Sequence, residues 1–253
     1  MNDRLRRSRL TPVRRSAPRI AAMPSRAFTL IELLTVVAII GILAAILIPT
    51  IGGARTAANK ARTRAQFGQW ATAFEAFRQE YGTYPQLSPA STQKFVNAIA
   101  TPEPGGDHLF HDVLAGVHRD GSPLAGATTG SPAPALGQNT RRIRFVSFVE
   151  GDFVTPSDVS AGRNTPAQLH LIRDAFYNTA IAVITDVNLD GVINGADSSG
   201  EYPAVSPPGG EIALRPSTTD LPVTTTGGVH AGVIFYSAPP GATDPEGLVM
   251  SWK

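Results

Sequence analysis

The chain contains no cysteine among its 253 residues. Disulfide bonds, thiol catalysis and cysteine-ligated zinc sites are therefore excluded, and an extracytoplasmic domain would have to hold its loops by packing, hydrogen bonds or a metal ion. The sequence also has no Walker loop, no G-x-S-x-G motif, no dinucleotide-binding fingerprint and no visible internal repeat. What it does have is a very uneven distribution of charged and apolar residues.

One short pattern resembles a catalytic motif. Ser91-Thr92-Gln93-Lys94 matches the S-x-x-K nucleophile pattern, but the S-D-N and K-T-G motifs that accompany it in such enzymes are missing. Ser91 is better explained as the N-cap of a predicted helix, Ser91–Ala100. We therefore expect no catalytic activity from this pattern, and no other part of the sequence predicts an enzyme.

A small group of polar residues could in principle hold a metal ion: Asp107, His108, His111 and Asp112. Histidines three positions apart in a polar loop are far more often solvated side chains than ligands. We therefore expect these four residues to be exposed to solvent and not to form a site.

The charge of the chain is divided between a short basic leader and an acidic remainder. The first 27 residues carry eight arginines against one acid, Asp3, which gives a net charge of +7. From Phe28 to Lys253 there are 14 basic and 19 acidic side chains, a net charge of −5. The overall pI near 9.1 therefore reflects the leader, and it gives no support for binding to nucleic acid.

An apolar segment follows the leader directly. Phe28 to Ile48 is 21 residues long with Glu32 as its only charge, and at about 1.5 Å per residue a helix of that length spans roughly the hydrocarbon thickness of a bilayer. A secretory signal peptide has a shorter apolar core with small residues at a cleavage site after it, whereas Gly41 to Ala45 continues the run here. The positive-inside rule places the arginine-rich N-terminus in the cytoplasm. Because an acid within a membrane segment is costly, Glu32 is a functional candidate.

These residues resemble the N-terminal signal of type IV pilins and type II secretion pseudopilins. The run from Phe28 to Leu34, F-T-L-I-E-L-L, is similar to the start of the mature proteins, and Pro49 is similar to the proline that closes the apolar half of their helix. Ala27 stands where the family usually has glycine. The resemblance implies that a prepilin peptidase cuts between Ala27 and Phe28 and methylates the new amine. It also implies that Glu32 pairs with that amine during assembly with other pilin or pseudopilin subunits.

With this resemblance the chain divides into a leader (1–27), a spine helix (28–81) whose membrane segment is 28–48, and a head (82–253). The resemblance implies that the chain is anchored in the bacterial inner membrane with its head in the periplasm. It also implies extraction from the membrane into a periplasmic filament or a surface pilus. The second half of the spine carries aromatic residues every three or four positions, which places them on one helix face and is typical of a helix that packs on a sheet. They are Phe67, Trp70, Phe74, Phe77 and Tyr81.

The head is rich in loop-forming residues, with 20 glycines and 17 prolines among 172 residues. This composition predicts a small core and long loops, including the segment 121–140. A second helix is predicted over Pro166–Phe176. Strands are predicted at Ile143–Phe148, Ala180–Thr185, Glu211–Leu214, Gly232–Ser237 and Leu248–Trp252. The predicted fold class is α+β, pilin-like, with a long N-terminal transmembrane spine helix packed on a small antiparallel sheet.

An acidic loop follows the predicted strand Ala180–Thr185. Oxygen-bearing residues occupy positions 1, 3, 5, 9 and 12 of a twelve-residue calcium-loop pattern, and glycine takes the sharp turn at position 6. Oxygen ligands at this spacing suit calcium. The predicted ligands are Asp186, Asn188, Asp190, the Val192 carbonyl, Asn194 through a water, and Asp197. The alternative is a plain hairpin turn at Asp190-Gly191.

Two further segments resemble calcium-binding major pseudopilins. The run Tyr81 to Pro85 is similar to the segment that follows their spine helix, and the run Asp174 to Ala180 is similar to the one that precedes their acidic loop. The resemblance implies a structural subunit of a type II secretion-like filament. A subunit of a surface type IV pilus, or a membrane-tethered calcium-binding interaction module, are the alternatives.

Overall fold

The computed structural model describes residues 28–88, 95–101, 107–198, 202–210 and 212–253. Ala27 and Ser91 lie outside these ranges. The chain divides into two compact units, with the boundary after Thr50. The helices are α1 (Leu30–Tyr81), α2 (Leu109–Ala115), α3 (Ala135–Gln138) and α4 (Pro156–Ser160). The strands are β1 (Ile181–Thr185), β2 (Val233–Ser237) and β3 (Val249–Met250).

The first unit contains the apolar beginning of α1. Its large apolar side chains are exposed, from Phe28 at 83% to Ile48 at 71%. Among the described residues α1 is the one helix long and apolar enough to cross a membrane, by length and composition. An apolar helical surface of this kind is stable only in a bilayer or against other apolar surfaces.

The second unit contains the rest of α1, whose aromatic face covers the sheet. Phe67, Trp70 and Phe74 each contact the ring of Phe235 in β2, with ring centroids 5.8, 5.6 and 5.6 Å apart. Phe77 packs further along against Phe145. The aromatic spacing in the sequence therefore identified the packed face of the helix, and burial of these large rings is a main source of stability in this domain.

The sheet is antiparallel, with strand order β1-β2-β3, and both of its faces are buried. Ile181 and Val183 of β1 face α1, whereas Ala182 and Ile184 face a second cluster of apolar residues. That second cluster is a layer of loop residues, which are Ile193, Tyr202, Val205, Leu214 and Leu221. The predicted fold class is confirmed, and β1 and β2 lie where they were predicted to within one residue. Of the predicted strand Leu248–Trp252, only Val249–Met250 is a strand, β3.

Two predicted helices are wrong where the structure describes them. Within Ser91–Ala100, residues 95–100 are not helical, because Phe95 bridges to Ala182 at the edge of β1. Within Pro166–Phe176 only a 3-10 turn, Pro166–Gln168, is present. His170 has a left-handed backbone with φ of 70°, which a helix does not accommodate.

Two predicted strands are also wrong. Ile143–Phe148 is irregular, because Phe145 and Val146 donate their backbone N–H groups to the Leu114 carbonyl at the end of α2 and not to a strand. In the predicted strand Glu211–Leu214, the described residues include only an isolated bridge between Leu214 and Val205.

Candidate functional site

The N-terminus of α1 is closed by Thr29 and Glu32. The backbone N–H and the hydroxyl of Thr29 both donate to Oε2 of Glu32 at 2.8 Å, and the N–H of Glu32 approaches the Thr29 hydroxyl oxygen at 3.3 Å. This is a capping box, in which two side chains satisfy free N–H groups at a helix start. The T-x-x-E pattern is visible in the sequence, so this role could have been predicted. Glu32 thus has a local structural role besides the assembly role expected from the resemblance.

The acidic loop begins where β1 ends. Asp186 is fully buried, and its backbone N–H donates to the Gly232 carbonyl at 2.9 Å. Its two carboxylate oxygens accept the N–H groups of Asp190 at 3.2 Å and Gly191 at 2.7 Å. Gly191 has φ of 85°, a conformation that favours glycine. The sharp turn predicted at position 6 is therefore present.

The far end of the acidic loop returns to its start through Asp197. The carboxylate of Asp197 accepts the Val187 N–H at 2.7 Å and the Asn194 N–H at 3.0 Å. Residue Ile193 pairs with Val229 and not with β1, so Asp190-Gly191 does not join two paired strands as a hairpin turn would. The loop is a closed, hydrogen-bonded turn with Asp186 and Asp197 at its base.

The predicted calcium ligands are close in the chain but not gathered around one point. Among the described residues, the carboxylates of Asp186, Asp190 and Asp197 do not form a group with one oxygen from each within 4.8 Å of the others. Asn188 donates its amide to Asp190 at 2.9 Å, and Asn194 accepts the Ala196 N–H. A carboxylate has about four lone-pair positions, so each acid could keep its N–H partner and still bind a cation. A modest movement of the exposed residues Asn188 and Asp190 would be needed.

The polar group around α2 is not exposed, contrary to the expectation from the sequence. His108, His111 and Asp112 are all at most 6% exposed, and only Asp107 is open to solvent. The whole of α2 is buried, because it fills the space between α1 and the loops around Leu124. Burial lowers the pKa of His108 to about 3, so this imidazole is neutral at physiological pH. The group is thus part of the interior of the head.

Comparison with known families concerns the N-terminal segment. Residues 23–48 match the family model of the prokaryotic N-terminal methylation motif. This segment is a prepilin-type signal. No curated protein and no solved structure matches the chain.

The N-terminal methylation motif indicates a type IV pilin-like substrate of prepilin peptidase. It implies assembly with other pilin subunits and fits a membrane-anchored protein. Phe28 and Glu32 lie within the matched residues, and Thr29 and Glu32 form the cap that starts the helix of the prepilin-type signal. The match ends at Ile48, so it says nothing of the head.

Sequence reasoning missed a residue that ties the head together, Asn97. Its amide donates to the carbonyls of Ile172 at 2.8 Å and Thr179 at 2.7 Å, and its oxygen accepts the Ile172 N–H at 2.9 Å. The same oxygen is 2.8 Å from Nε2 of His108. A single asparagine thus joins three segments that are distant in sequence. No spacing or composition signal marks it.

Proposed function

We propose that this chain is a pseudopilin-like structural subunit of a type II secretion-like filament. It is inserted in the bacterial inner membrane with its N-terminus in the cytoplasm and its head in the periplasm. After cleavage it assembles through its N-terminal helix, and its role is mechanical and not catalytic. The observation that carries this proposal is the prepilin-type signal at residues 23–48, followed by a helix whose aromatic face packs on a small sheet.

The segment after α1 supports a secretion role over a surface pilus because it resembles the segment that follows the spine helix of major pseudopilins. The hydroxyl of Tyr84 donates to Glu75 at 2.7 Å and accepts from Arg78 at 3.0 Å, so the Tyr84-Pro85 turn is bonded to the last turns of the helix. The acidic loop after β1 and the absence of cysteine favour the same choice. Deletion of the gene in its host would separate the two functions. Loss of secreted proteins with surface pili intact is expected, and loss of pili with secretion intact would favour the pilus subunit.

Cleavage of the leader is the first prediction. Co-expression of the full chain with a prepilin peptidase should give a membrane-extracted product that begins at methylated Phe28, because the basic leader ends directly before the matched motif. Intact-mass and N-terminal peptide spectra would measure this. Since a small residue is needed before the cut, Ala27→Gly should be processed at least as fully, whereas Ala27→Leu should keep the leader.

The two Ala27 variants separate the effect of the residue before the cut from any effect on membrane insertion. Both change one residue and leave the apolar segment intact, so membrane insertion should be equal for both. A stable wild-type product that still contains the arginines from Arg4 to Arg26 would contradict the proposal, as would equal processing of Ala27→Leu.

Calcium binding by the acidic loop is part of the same proposal. The support is the donor set, which consists of oxygens at the loop spacing, and the fully buried carboxylate of Asp186, which a bound cation would help to compensate. Asp186, Asn188, Asp190, the Val192 carbonyl and Asp197 would bind directly, and Asn194 through a water. Calcium would hold the loop against the end of β1.

Raised thermal stability in calcium is the second prediction. A ligand that binds only the folded state stabilises it by mass action, by about 2.7 kcal/mol at 100 times its Kd. The full chain in detergent should therefore melt at a higher temperature in millimolar calcium than in chelator. Asp190→Ala should remove the difference, because it deletes a ligand at an exposed position.

Glu246→Ala is the matched control for calcium binding. Glu246 is also exposed and acidic but lies far along the chain from the loop, so its removal should leave the calcium-dependent shift unchanged. Identical melting curves with and without calcium in the wild-type protein would show that the acidic loop is only a structural turn.

A further inference from the structure

We infer that Asp107, Asp112 and His118 bind a divalent transition-metal ion, for which zinc is the best match. One ligand atom from each of these three side chains lies within 4.8 Å of the others. Nδ1 of His118 is 3.0 Å from Oδ2 of Asp112 and 3.6 Å from Oδ1 of Asp107. This site differs from the acidic loop because one of its donors is nitrogen.

Two of the three separations between ligand atoms are compatible with tetrahedral coordination. Zinc binds imidazole nitrogen and carboxylate oxygen at about 2.0 to 2.2 Å, so neighbouring ligand atoms in a tetrahedron are about 3.3 Å apart. The two measured separations lie on either side of that value. Calcium and magnesium prefer oxygen donors alone, whereas an imidazole with carboxylates suits zinc and its first-row neighbours. The donor set therefore points to a transition metal.

The charge of Asp112 gives a second reason for a cation here. Its side chain is only 3% exposed, and its ion-pair partners among the described residues are the imidazoles of His111 and His118. A buried carboxylate is costly unless a positive charge compensates it. A bound metal ion would supply that positive charge. Nδ1 of His111 lies 2.8 Å from Oδ1 of Asp112, the outer contact that commonly orients a metal-binding carboxylate.

None of the three ligand residues has a positive φ. Asp107 lies two residues before the first residue of α2, and Asp112 lies within α2. The helix ends at Gly116, whose φ of 71° reverses the chain, so that His118 returns beside Asp112. A Cβ atom at Gly116 would lie 2.6 Å from the Arg142 carbonyl oxygen, so this close turn requires glycine.

The site opens into a cavity of about 210 Å³. Asp107, Asp112 and His118 line it together with apolar residues that include Ile99, Leu109 and Leu124. Three protein ligands with an open fourth position is the arrangement of zinc sites that retain a water or bind a small ligand. The fourth ligand here would face that cavity.

Zinc titration of the full chain in detergent tests this inference. In calorimetry with a calcium-loaded sample, we expect one zinc ion per chain, and cobalt should give the visible absorption of a tetrahedral site. His118→Ala should weaken zinc binding by at least about tenfold, since even an outer-shell change at such sites costs 10- to 100-fold. Asp107→Asn should weaken it as well, and because Asp107 is exposed this change should not disturb folding.

The controls separate this site from adventitious binding and from the acidic loop. His230→Ala removes an exposed histidine elsewhere in the head and should leave zinc affinity unchanged, as should Asp190→Ala. Zinc binding that is equally tight in His118→Ala and the wild type, or no binding by the wild type, would overturn the inference. Neither outcome would bear on the leader cleavage or on filament assembly.

Discussion

Replacement of Glu32 by leucine is expected to leave the chain in the membrane and to remove it from filaments. The substitution makes the segment more apolar, so insertion should be retained. After cleavage, the new amine at Phe28 is one helical turn from Glu32, and a neighbouring subunit would offer the same amine in apolar surroundings. An opposite charge gains much more energy there than in water, and its loss leaves the amine uncompensated. Cross-linking of filaments in cells should therefore fall at least about tenfold.

The capping box makes a sharper control possible. Because Oε2 of Glu32 accepts two hydrogen bonds from Thr29, Glu32→Leu removes the helix cap as well as the charge. Glu32→Gln keeps an acceptor for Thr29 but has no charge. If pairing with the amine drives assembly, both variants should lose cross-linking. Wild-type cross-linking by Glu32→Gln would show that only the cap is needed.

Replacement of Asp174 by alanine is expected to destabilise the head by about 3 kcal/mol or more. Asp174 is 1% exposed. One of its oxygens accepts the N–H groups of Phe176 at 2.8 Å and Asn178 at 2.9 Å, and the other accepts the Ser237 hydroxyl at 2.7 Å. Alanine would leave three buried donors without an acceptor. Urea denaturation of the full chain in detergent, followed by the fluorescence of its two tryptophans, Trp70 and Trp252, would measure the loss.

Asp174 should also give the head a distinctive pH dependence. Burial raises the pKa of its carboxyl from 3.8 to about 6, so the folded state holds the proton more tightly than the unfolded state. Its contribution to stability is therefore unfavourable at pH 7 and improves as the pH falls from about 6 to about 4. His108 acts in the opposite direction, because its lowered pKa makes the unfolded state take up a proton below about pH 6.5.

A comparison with Asp174→Asn isolates the carboxyl from His108. Asparagine can still accept the two N–H groups, and its amide can donate to the Ser237 hydroxyl, but it does not titrate. From pH 7 to pH 4 the wild type should gain about 2 kcal/mol of unfolding free energy relative to Asp174→Asn. Parallel stability profiles for the two proteins would show that Asp174 is not the group responsible.

Local pattern was sufficient for the features that depend on neighbouring residues. The basic leader, the apolar segment and the position of Glu32 indicated the prepilin-type signal, because peptidase recognition and membrane insertion depend on short stretches of charge and hydropathy. The aromatic spacing from Phe67 to Phe77 identified the face of α1 that packs on the sheet, because helix periodicity alone places those rings together. The strands β1 and β2 were also predicted closely, because each is a short apolar run rich in strand-forming residues.

Only the tertiary structure decided the features that depend on long-range contacts. Asn97 bonds to Ile172, which is 75 residues away, and Phe95 bridges to Ala182 in β1. These long-range bonds replace the helix that was predicted over Ser91–Ala100, because local propensity does not encode them. The burial of Asp112 and its approach to His118 arise because α2 fills a gap against α1 and then reverses at Gly116. Sequence spacing predicted the acidic loop, whose calcium ligands stay a prediction, whereas packing brought together Asp107, Asp112 and His118.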